Sequence, residues 1–312
     1  MDTIDRSAAE PKLENGADLV NDLHAAFGVH KARAVHAKGV ILEGTFEPYP
    51  GASMICMAPL FRVPSAKITV RFSDFTGFPD IPDNSADANP RGFAVKFRME
   101  DGSEYDVVAH NFNGFPTRTA TEFGALLRAI GSSGPGASKP TPLELFLSNH
   151  PIAKRFLTSQ RPAPASYATT SYYGVNAVEF TSLKSQTLSV RYRFLPQAGE
   201  HYLDEVSAAQ KSKDYLQEEI VQRALATPVV FDWIAQVATP ADAVDDPSIA
   251  WPEDRPLVRL GTLRITHLSP DQACADKALR FLPGHMPRGI IPADPMLILR
   301  DEAYPISYRA RQ

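Results

Sequence analysis

The segment Lys67-Ile68-Thr69-Val70-Arg71-Phe72-Ser73 alternates apolar and polar residues with a period of two. Such alternation is typical of a β-strand with one buried face. The same pattern recurs in residues 39–46, 93–98 and 189–194, and strands are also expected in residues 228–237 and 257–267. This number of half-buried strands predicts an antiparallel barrel or sandwich.

Segments with helical spacing interrupt the strands. A first helix is expected at residues 17–28, closed by Gly28, because glycine commonly ends helices. Further helices are predicted at residues 121–130, 142–157 (two short helices), 203–226 (one or two), 269–281 and 295–304. Strands and helices that alternate irregularly along the chain indicate the α+β class.

Composition limits the range of partners. Of 312 residues, 44% are hydrophobic and 22% are charged, which is ordinary for a globular protein with a large core. A net charge of −4 gives no reason to expect nucleic acid or an anionic membrane as a partner. We find no apolar run that approaches the roughly 18 residues needed to span a bilayer.

The N-terminus and the cysteines indicate a reducing compartment. Residues 1–6 have neither the basic nor the apolar region of a signal peptide, so a cytoplasmic location is expected. Cys56 and Cys274 are far apart and belong to no CxxC or Cys/His cluster. They are therefore predicted to be buried thiols and not a disulfide or a metal site.

The C-terminal stretch Asp294-Pro295-Met296-Leu297-Ile298-Leu299-Arg300-Asp301-Glu302-Ala303-Tyr304-Pro305 places an arginine four residues before a tyrosine. On a helix, Arg300 and Tyr304 would lie one turn apart on the same face. A free phenol has a pKa of about 10, but a nearby guanidinium favours the phenolate and a ferric ion favours it far more. Taken alone, such a pair is more often part of an ordinary amphipathic helix.

Three further motifs precede this one. They are Arg33-Ala34-Val35-His36-Ala37-Lys38-Gly39, Val70-Arg71-Phe72-Ser73 and Asn89-Pro90-Arg91-Gly92-Phe93-Ala94-Val95-Lys96-Phe97. In this order the four motifs resemble the haem catalase superfamily, and the short chain most resembles its catalase-related peroxidases, or mini-catalases. The resemblance runs from about Arg33 to the C-terminus. It implies a catalase-like antiparallel eight-stranded β-barrel with packed helices, in a single haem b domain over residues 1–312 whose first 16 residues are flexible.

The resemblance also implies residue roles at the iron. Tyr304 matches the tyrosinate ligand of the haem iron, and Arg300 matches its supporting arginine. An anionic ligand of this kind stabilises high oxidation states of iron. His36 matches the distal acid/base, which can take a proton from one peroxide oxygen and return it to the other. Ser73 matches the serine that hydrogen-bonds this imidazole and fixes its tautomer.

A second set of residues is implied to hold the haem itself. Arg33 and Arg71 match propionate-binding arginines, and either Arg309 or Arg311 provides the third. The aromatic side chain expected to stack on the haem is Phe123, and the apolar side chain expected to roof its distal side is Val35. The spacing of Phe123 on its helix would equally suit a core position.

Three positions depart from the catalase pattern. Where catalases carry a distal asparagine, the ungapped match is His110, and Asn111 follows it, so either residue could face the haem. If His110 does, it could accept a proton near neutral pH, and activity would then fall at acidic pH. Phe75 and Asn89 replace a small aliphatic residue and an aspartate of the access channel, which puts efficient catalase activity in doubt.

The leading hypothesis is a peroxidase that reduces hydrogen peroxide or organic hydroperoxides with a small electron donor. The alternatives are a true small catalase, a lipid-hydroperoxide isomerase of the allene oxide synthase type, and a haem-binding protein without turnover. His36 and Ser73 argue against the last, since storage needs no distal acid/base. The chain lacks the N-terminal arm and C-terminal extension that lock catalase tetramers, so the assembly considered is a homodimer.

Overall fold

The computed structural model describes residues 15–312. Its strands in chain order are β1 (Gly39–Pro48), β2 (Ala66–Ser73), β3 (Gly92–Arg98), β4 (Glu104–His110), β5 (Tyr172–Thr181), β6 (Thr187–Pro196), β7 (Val229–Val237), β8 (Leu257–Leu268) and β9 (Ile290–Pro292). Neighbouring strands pair in the order β4-β3-β2-β1-β8-β7-β6-β5, all antiparallel. A further pairing of β4 with β5, through His110 and Tyr173, closes the ring, and β9 adds to β5. The predicted eight-stranded antiparallel barrel is confirmed.

The α-helices of the described range surround this barrel. They are α1 (Gly16–Phe27), α2 (Ala52–Ile55), α3 (Ala120–Gly131), α4 (Pro142–Asn149), α5 (Pro151–Thr158), α6 (Glu205–Ala209), α7 (Tyr215–Ala226), α8 (Gln272–Ala278) and α9 (Met296–Ala310). Within residues 15–312, no helix combines the length and the apolar character needed to cross a membrane.

The barrel interior is filled by the apolar residues of the alternating strands. Val70 and Phe72 of β2 are fully buried there. Trp233 of β7 stacks on Phe97 at 4.9 Å and on Phe194 at 5.7 Å between ring centroids. Because side chains alternate between the two faces of a strand, the polar residues of the same strands point to the outside of the barrel.

Helices α1, α3 and α9 pack together against that outer face. Leu19 and Leu23 of α1, Leu127 of α3 and Ala303 of α9 form one buried cluster. Gly16 permits the close approach of α1 to α9, because a Cβ at this position would lie 2.5 Å from Cβ of Glu302. The space between this helical layer and the barrel wall is where the candidate site lies.

Several predictions made from the sequence alone need correction. Helix α3 is capped by Thr119, whose side chain accepts from Glu122 N–H in a capping box, so the helix begins before Thr121. Helix α9 continues six residues beyond the predicted end at Tyr304, through Pro305 to Ala310. Strands β4, β5 and β9 and the short helix α2 were missed. Cys274 is exposed and not buried, although in the described part of the chain both cysteines are free thiols.

The predicted flexible segment, residues 1–16, lies mostly outside the described residues. Its last two residues are ordered, because the side chain of Asn15 caps α1 and Gly16 begins that helix.

Candidate active site

A cavity of about 200 Å³ lies between the outer face of strands β2 to β5 and helices α1, α3, α5 and α9. Its wall on the barrel side includes the outward-facing Arg71 and Ser73 of β2, His110 of β4 and Asn176 of β5. The loop after α1 contributes residues 33–36, and the C-terminal helix contributes Arg300 and Tyr304, among others. Motifs far apart in the sequence therefore meet around one cavity.

His36 reaches this cavity from a strained turn. Its φ of 56° lies in the left-handed region, which costs a non-glycine residue about 1–2 kcal/mol. Its ring nitrogen Nδ1 shares a 3.1 Å hydrogen bond with Ser73 Oγ, and the ring packs edge-on against Phe75 with centroids 5.5 Å apart. A Cβ on Gly92 would lie only 2.6 Å from Nδ1 of His36, so glycine at this position leaves room for the ring.

Buried polar contacts tie the ends of β2, β3 and β4 together behind His36. Arg91, fully buried just before β3, pairs with Asp74 just after β2, and Tyr167 donates to the same carboxylate at 3.0 Å. Arg91 N–H donates to Oδ1 of Asn111, just after β4, at 2.7 Å. Ser73, Gly92 and His110 are each adjacent to one of these residues, so the network fixes their positions.

The structure places His110, and not Asn111, at the cavity. Asn111 is buried in the wall, bonded to Arg91 and to Thr170. The Nδ1 atom of His110 accepts from Phe112 N–H at 3.4 Å, whereas its Nε2 is buried without a hydrogen-bond partner among residues 15–312. The cavity therefore carries two imidazoles, His36 from the loop after α1 and His110 from the end of β4.

Both imidazoles are neutral near physiological pH. Burial, with smaller contributions from His110 and Arg71, lowers the pKa of His36 to about 3. Burial, followed by the charge of Arg300, lowers the pKa of His110 to about 4. The expectation that His110 accepts a proton near neutral pH is thus wrong, because the burial penalty on the charged form was not visible in the sequence.

On the opposite side, Tyr304 is held by a chain of hydrogen bonds. Arg300 Nη2 donates to the phenolic oxygen of Tyr304 at 2.6 Å, and Nη1 donates to Oδ1 of Asn176 at 2.8 Å. The amide of Asn176 in turn donates to Asp294 at 2.8 Å. Both terminal nitrogens of Arg300 are therefore held by hydrogen bonds, and Nη2 is directed at the phenol of Tyr304.

Three arginines meet at a third part of the cavity. Arg33 Nη1 lies 2.5 Å from Asp276 Oδ2, and Arg71 Nε donates to Asp276 Oδ1 at 2.8 Å. Arg311 Nη2 donates to the main-chain oxygen of Leu279 at 2.6 Å, and Arg33 Nη2 donates to the same oxygen at 2.9 Å. All three guanidinium groups therefore converge on the C-terminal end of α8.

This arginine cluster carries more positive than negative charge. Burial and the neighbouring Arg71 hold the pKa of Arg33 well below its usual range, and burial also lowers the pKa of Arg311. Although burial acts to raise it, the pKa of the Asp276 carboxyl is lowered by the guanidinium groups of Arg71 and Arg33. Three cations facing one carboxylate leave an excess of two positive charges, which favours a ligand with two negative groups.

The remaining predicted residues divide between cavity and surface. Val35, Phe75 and Phe123 line the cavity. Arg309 is exposed to solvent, whereas Arg311 reaches the cavity. Asn89 bonds instead to the main-chain oxygen of Arg161 at 3.4 Å.

Three residues of the site were not singled out from the sequence. Asn176 lies on β5, a strand that was not predicted from the sequence, whereas Asp276 and Phe156 belong to predicted helices. Asp294 belongs to the quoted C-terminal motif, six residues before Arg300, but local spacing could not predict its hydrogen bond with Asn176 on β5.

Comparison with known proteins identifies the family. The family model described as catalase matches residues 22–312. A protein named catalase-related peroxidase from Synechococcus elongatus is 33% identical over 300 residues, which cover 94% of this chain and 87% of that protein. Another protein of the same name, from Mycolicibacterium paratuberculosis, is 35% identical over 283 residues, which cover 89% and 88% of the two chains.

Solved structures show the same fold. Catalase A from Saccharomyces cerevisiae superposes with a TM-score of 0.80 at 23% identity, over 90% of this chain and 61% of that chain. A fungal catalase gives the same TM-score at 24% identity and is covered over 59% of its length. The chain thus spans about three fifths of these longer catalases. Because the family model covers nearly the whole chain, the resemblance seen in the four motifs is confirmed, and this chain belongs to the catalase family.

Proposed function

We propose that this protein is a haem peroxidase that reduces hydrogen peroxide or organic hydroperoxides with a small electron donor. Membership of the catalase family and relatives named catalase-related peroxidase support this activity. The single observation that carries the proposal is one cavity with His36 and His110 on the barrel side and the Arg300–Tyr304 pair on α9.

The residues of the cavity suit haem b. Its two propionates would meet Arg33 and Arg311 and would match the excess of two positive charges around Asp276. Arg71, the other predicted propionate ligand, lines the same end. Nε of Arg311 is buried with no hydrogen-bond partner in the described part of the chain, which leaves a donor for a carboxylate. Phe123 and Val35 offer the apolar surface that a porphyrin face needs.

Tyr304 is the proposed iron ligand. The 2.6 Å hydrogen bond from Arg300 stabilises negative charge on the phenolic oxygen, because a charge-assisted bond favours the phenolate. Tyr308 is the less suitable candidate, since its ring lies against the guanidinium groups of Arg280 and Arg311. When bound, the haem supplies the redox chemistry, and the tyrosinate tunes it.

His36 is the proposed acid/base. A neutral imidazole can accept a proton at Nε2 and release it to a second oxygen, while Ser73 holds Nδ1 and sets the tautomer. His110 offers a second neutral imidazole whose Nε2 is free to hydrogen-bond a peroxide oxygen. We assign it the orienting role that the resemblance gives to asparagine in catalases.

The apolar surroundings of His36 favour organic hydroperoxides. Phe75 packs on the imidazole, and Phe115 and Phe156 also line the cavity. These rings would lie against an alkyl or aryl group better than against water. Their bulk also disfavours a second peroxide molecule, which dismutation requires.

The proposal is tested by comparing oxygen release from hydrogen peroxide with oxidation of a chromogenic donor, each with hydrogen peroxide and with an organic hydroperoxide. Donor oxidation that exceeds oxygen release is the expected result. Rapid oxygen release without donor oxidation would identify a small catalase instead. A cytoplasmic location and a homodimer remain predictions.

A further inference from the structure

We infer that Arg71, oriented by Asp276, is a positioning residue for His36. Its guanidinium joins the carboxylate of Asp276 to the main chain around His36. This role goes beyond the ligand-holding role expected for Arg71. The effect of Arg71 on catalysis rests on the function proposed for His36. Its effect on the backbone conformation of His36 does not depend on that function.

Arg71 uses all three of its side-chain nitrogens inside the protein. Nε donates to Asp276 at 2.8 Å, Nη1 donates to the main-chain oxygen of His36 at 2.8 Å, and Nη2 donates to that of Ala37 at 3.0 Å. The side chain is 3% exposed. A planar guanidinium can bridge three acceptors at fixed angles, which a lysine ammonium on a flexible stem cannot do.

His36 needs such support because its backbone is strained. The two peptide groups around it are held on one side by N–H bonds, from His36 to Phe75 at 2.8 Å and from Ala37 to Thr76 at 3.0 Å. The main-chain oxygens of His36 and of the next residue, Ala37, accept from Arg71. A left-handed residue persists only when its surroundings over-determine it, and here they do so from both sides.

The backbone conformation of His36 sets the direction of its ring. The ring itself has one polar restraint, the bond of Nδ1 to Ser73, and one packing restraint, the edge contact with Phe75. A rotation of the backbone would carry the ring away from both. Arg71 therefore acts on the distal imidazole through the main chain and not by touching it.

Asp276 holds the arginine in this orientation. Its Oδ1 accepts from Nε of Arg71, while its Oδ2 pairs with Arg33. On the far side the guanidinium is packed against β1, where a Cβ on Gly39 would lie 2.6 Å from Cζ of Arg71. With Asp276 on one side and the strand on the other, the guanidinium has one position from which it reaches both carbonyls.

The three arginines thus differ in what they have left to offer a ligand. Arg33 and Arg311 donate to the end of α8, and Nε of Arg311 stays buried without a partner among the described residues. Arg71 uses three of its five N–H donors on Asp276, His36 and Ala37, and Nη1 and Nη2 each keep one N–H. The contacts to the main chain at His36 and Ala37 therefore give Arg71 a positioning role in addition to carboxylate binding.

Hydrogen exchange followed by mass spectrometry on the full chain tests this role. The two readouts are exchange of the His36 and Ala37 amides and exchange of the ring carbon hydrogen of His36. The test variants are Arg71→Lys, which cannot bridge the three acceptors, and Asp276→Asn, which removes the carboxylate charge that Arg71 and Arg33 share. The matched control is Arg191→Lys, because Arg191 is equally buried and also donates to main-chain oxygens, those of Ile249 and Asp246, away from the cavity.

In Arg71→Lys we expect amide exchange at His36 and Ala37 to rise about tenfold or more, because hydrogen bonds to a charged group are lost. Ring exchange of His36 should rise with it. Asp276→Asn should change both readouts in the same direction by less, and Arg191→Lys should change neither.

Unchanged exchange at His36 and Ala37 in Arg71→Lys and Asp276→Asn would overturn the inference. If Arg71→Lys does not fold, Asp276→Asn decides alone, since the Asp276 side chain is one-third exposed and tolerates the amide. Neither readout requires peroxide turnover. A protein without peroxidase activity could still show the effect, and a peroxidase could fail to show it.

Discussion

The guanidinium of Arg300 donates a 2.6 Å hydrogen bond to the phenolic oxygen of Tyr304, one helical turn away. The same guanidinium is fixed from behind by Asn176, which Asp294 orients in turn. A phenol that receives a charge-assisted bond from a fixed donor is prepared to act as an anion. This arrangement is the structural basis for treating α9 as the metal-binding side of the cavity.

The first prediction concerns the support of Arg300. Replacing Asn176 with Ala removes an acceptor from Arg300 and leaves the buried carboxylate of Asp294 without this donor. We expect the free energy of unfolding to fall by about 1–3 kcal/mol, measured by urea denaturation, because a buried polar group loses its partner. Asn113→Ala is the control, since the side-chain amide of Asn113 donates an exposed 3.5 Å hydrogen bond to Glu253. Equal stability of the two variants would contradict the prediction.

The second prediction separates His110 from Asn111. Since Asn111 accepts from Arg91 N–H in the barrel wall, Asn111→Ala should cost about 1–3 kcal/mol of stability. His110→Asn instead changes the cavity and should raise oxygen release relative to donor oxidation, because it restores the residue type of catalases. If Asn111→Ala shifts that ratio and His110→Asn leaves it unchanged, the assignment of the cavity-facing residue is wrong.

The third prediction concerns the space beside His36. A Cβ at position 92 would lie 2.4 Å from Ser73 Oγ and 2.6 Å from His36 Nδ1. Gly92→Ala must therefore displace both side chains from their positions beside residue 92. The reaction with peroxide should slow by about 10²-fold or more, which is the contribution of a well-placed acid/base. Gly134→Ala is the control, because within residues 15–312 nothing lies within 4 Å of the added atom. Stopped-flow spectroscopy would measure both rates, and a wild-type rate for Gly92→Ala would exclude the proposed role of the pair.

The fourth prediction concerns acid. The pKa of His110 in the folded protein is about 4, below the 6.5 of a free imidazole, so the unfolded chain takes up its proton first as the pH falls. Above pH 6.5 His110 is neutral in both states, and its contribution to the free energy of unfolding does not change with pH. As the pH falls from 6.5 towards 4, that free energy decreases by about 1.4 kcal/mol per pH unit. His110→Asn should reduce the slope of unfolding free energy against pH by that amount in this window. The measurement is made on the protein without haem, and His267→Asn, at an exposed histidine, is the control. An unchanged slope in His110→Asn would argue against a buried neutral His110.

The fold was largely predictable because its signals are local. In β2 and β3 the alternation of apolar and charged residues is regular, and both strands were found. Strand β5 was missed because Gly174, Asn176 and a register shift between Gly174 and Val178 break its pattern. Helix α9 was predicted too short because Pro305, normally a helix breaker, is accommodated inside it.

The site was predictable only where motifs carried it. His36, Ser73, Arg300 and Tyr304 lie in recognisable segments, and the structure brings all four to one cavity. Asp276 meets Arg71 from 205 positions away, and no local pattern announces that contact. The protonation states of His36 and His110 depend on burial between barrel and helices, which follows from the folded structure and not from residue spacing.

The absorption spectrum of the purified protein, compared with that of Tyr304→Phe, tests the central claim most directly. The account predicts a high-spin ferric haem spectrum with a tyrosinate ligand in the wild type. Tyr304→Phe should lose stable haem or change that spectrum, because phenylalanine has no oxygen to donate to iron. Tyr308→Phe, the matched control on the same helix, should keep the wild-type spectrum. A wild-type spectrum in Tyr304→Phe, with its loss in Tyr308→Phe, would contradict the account.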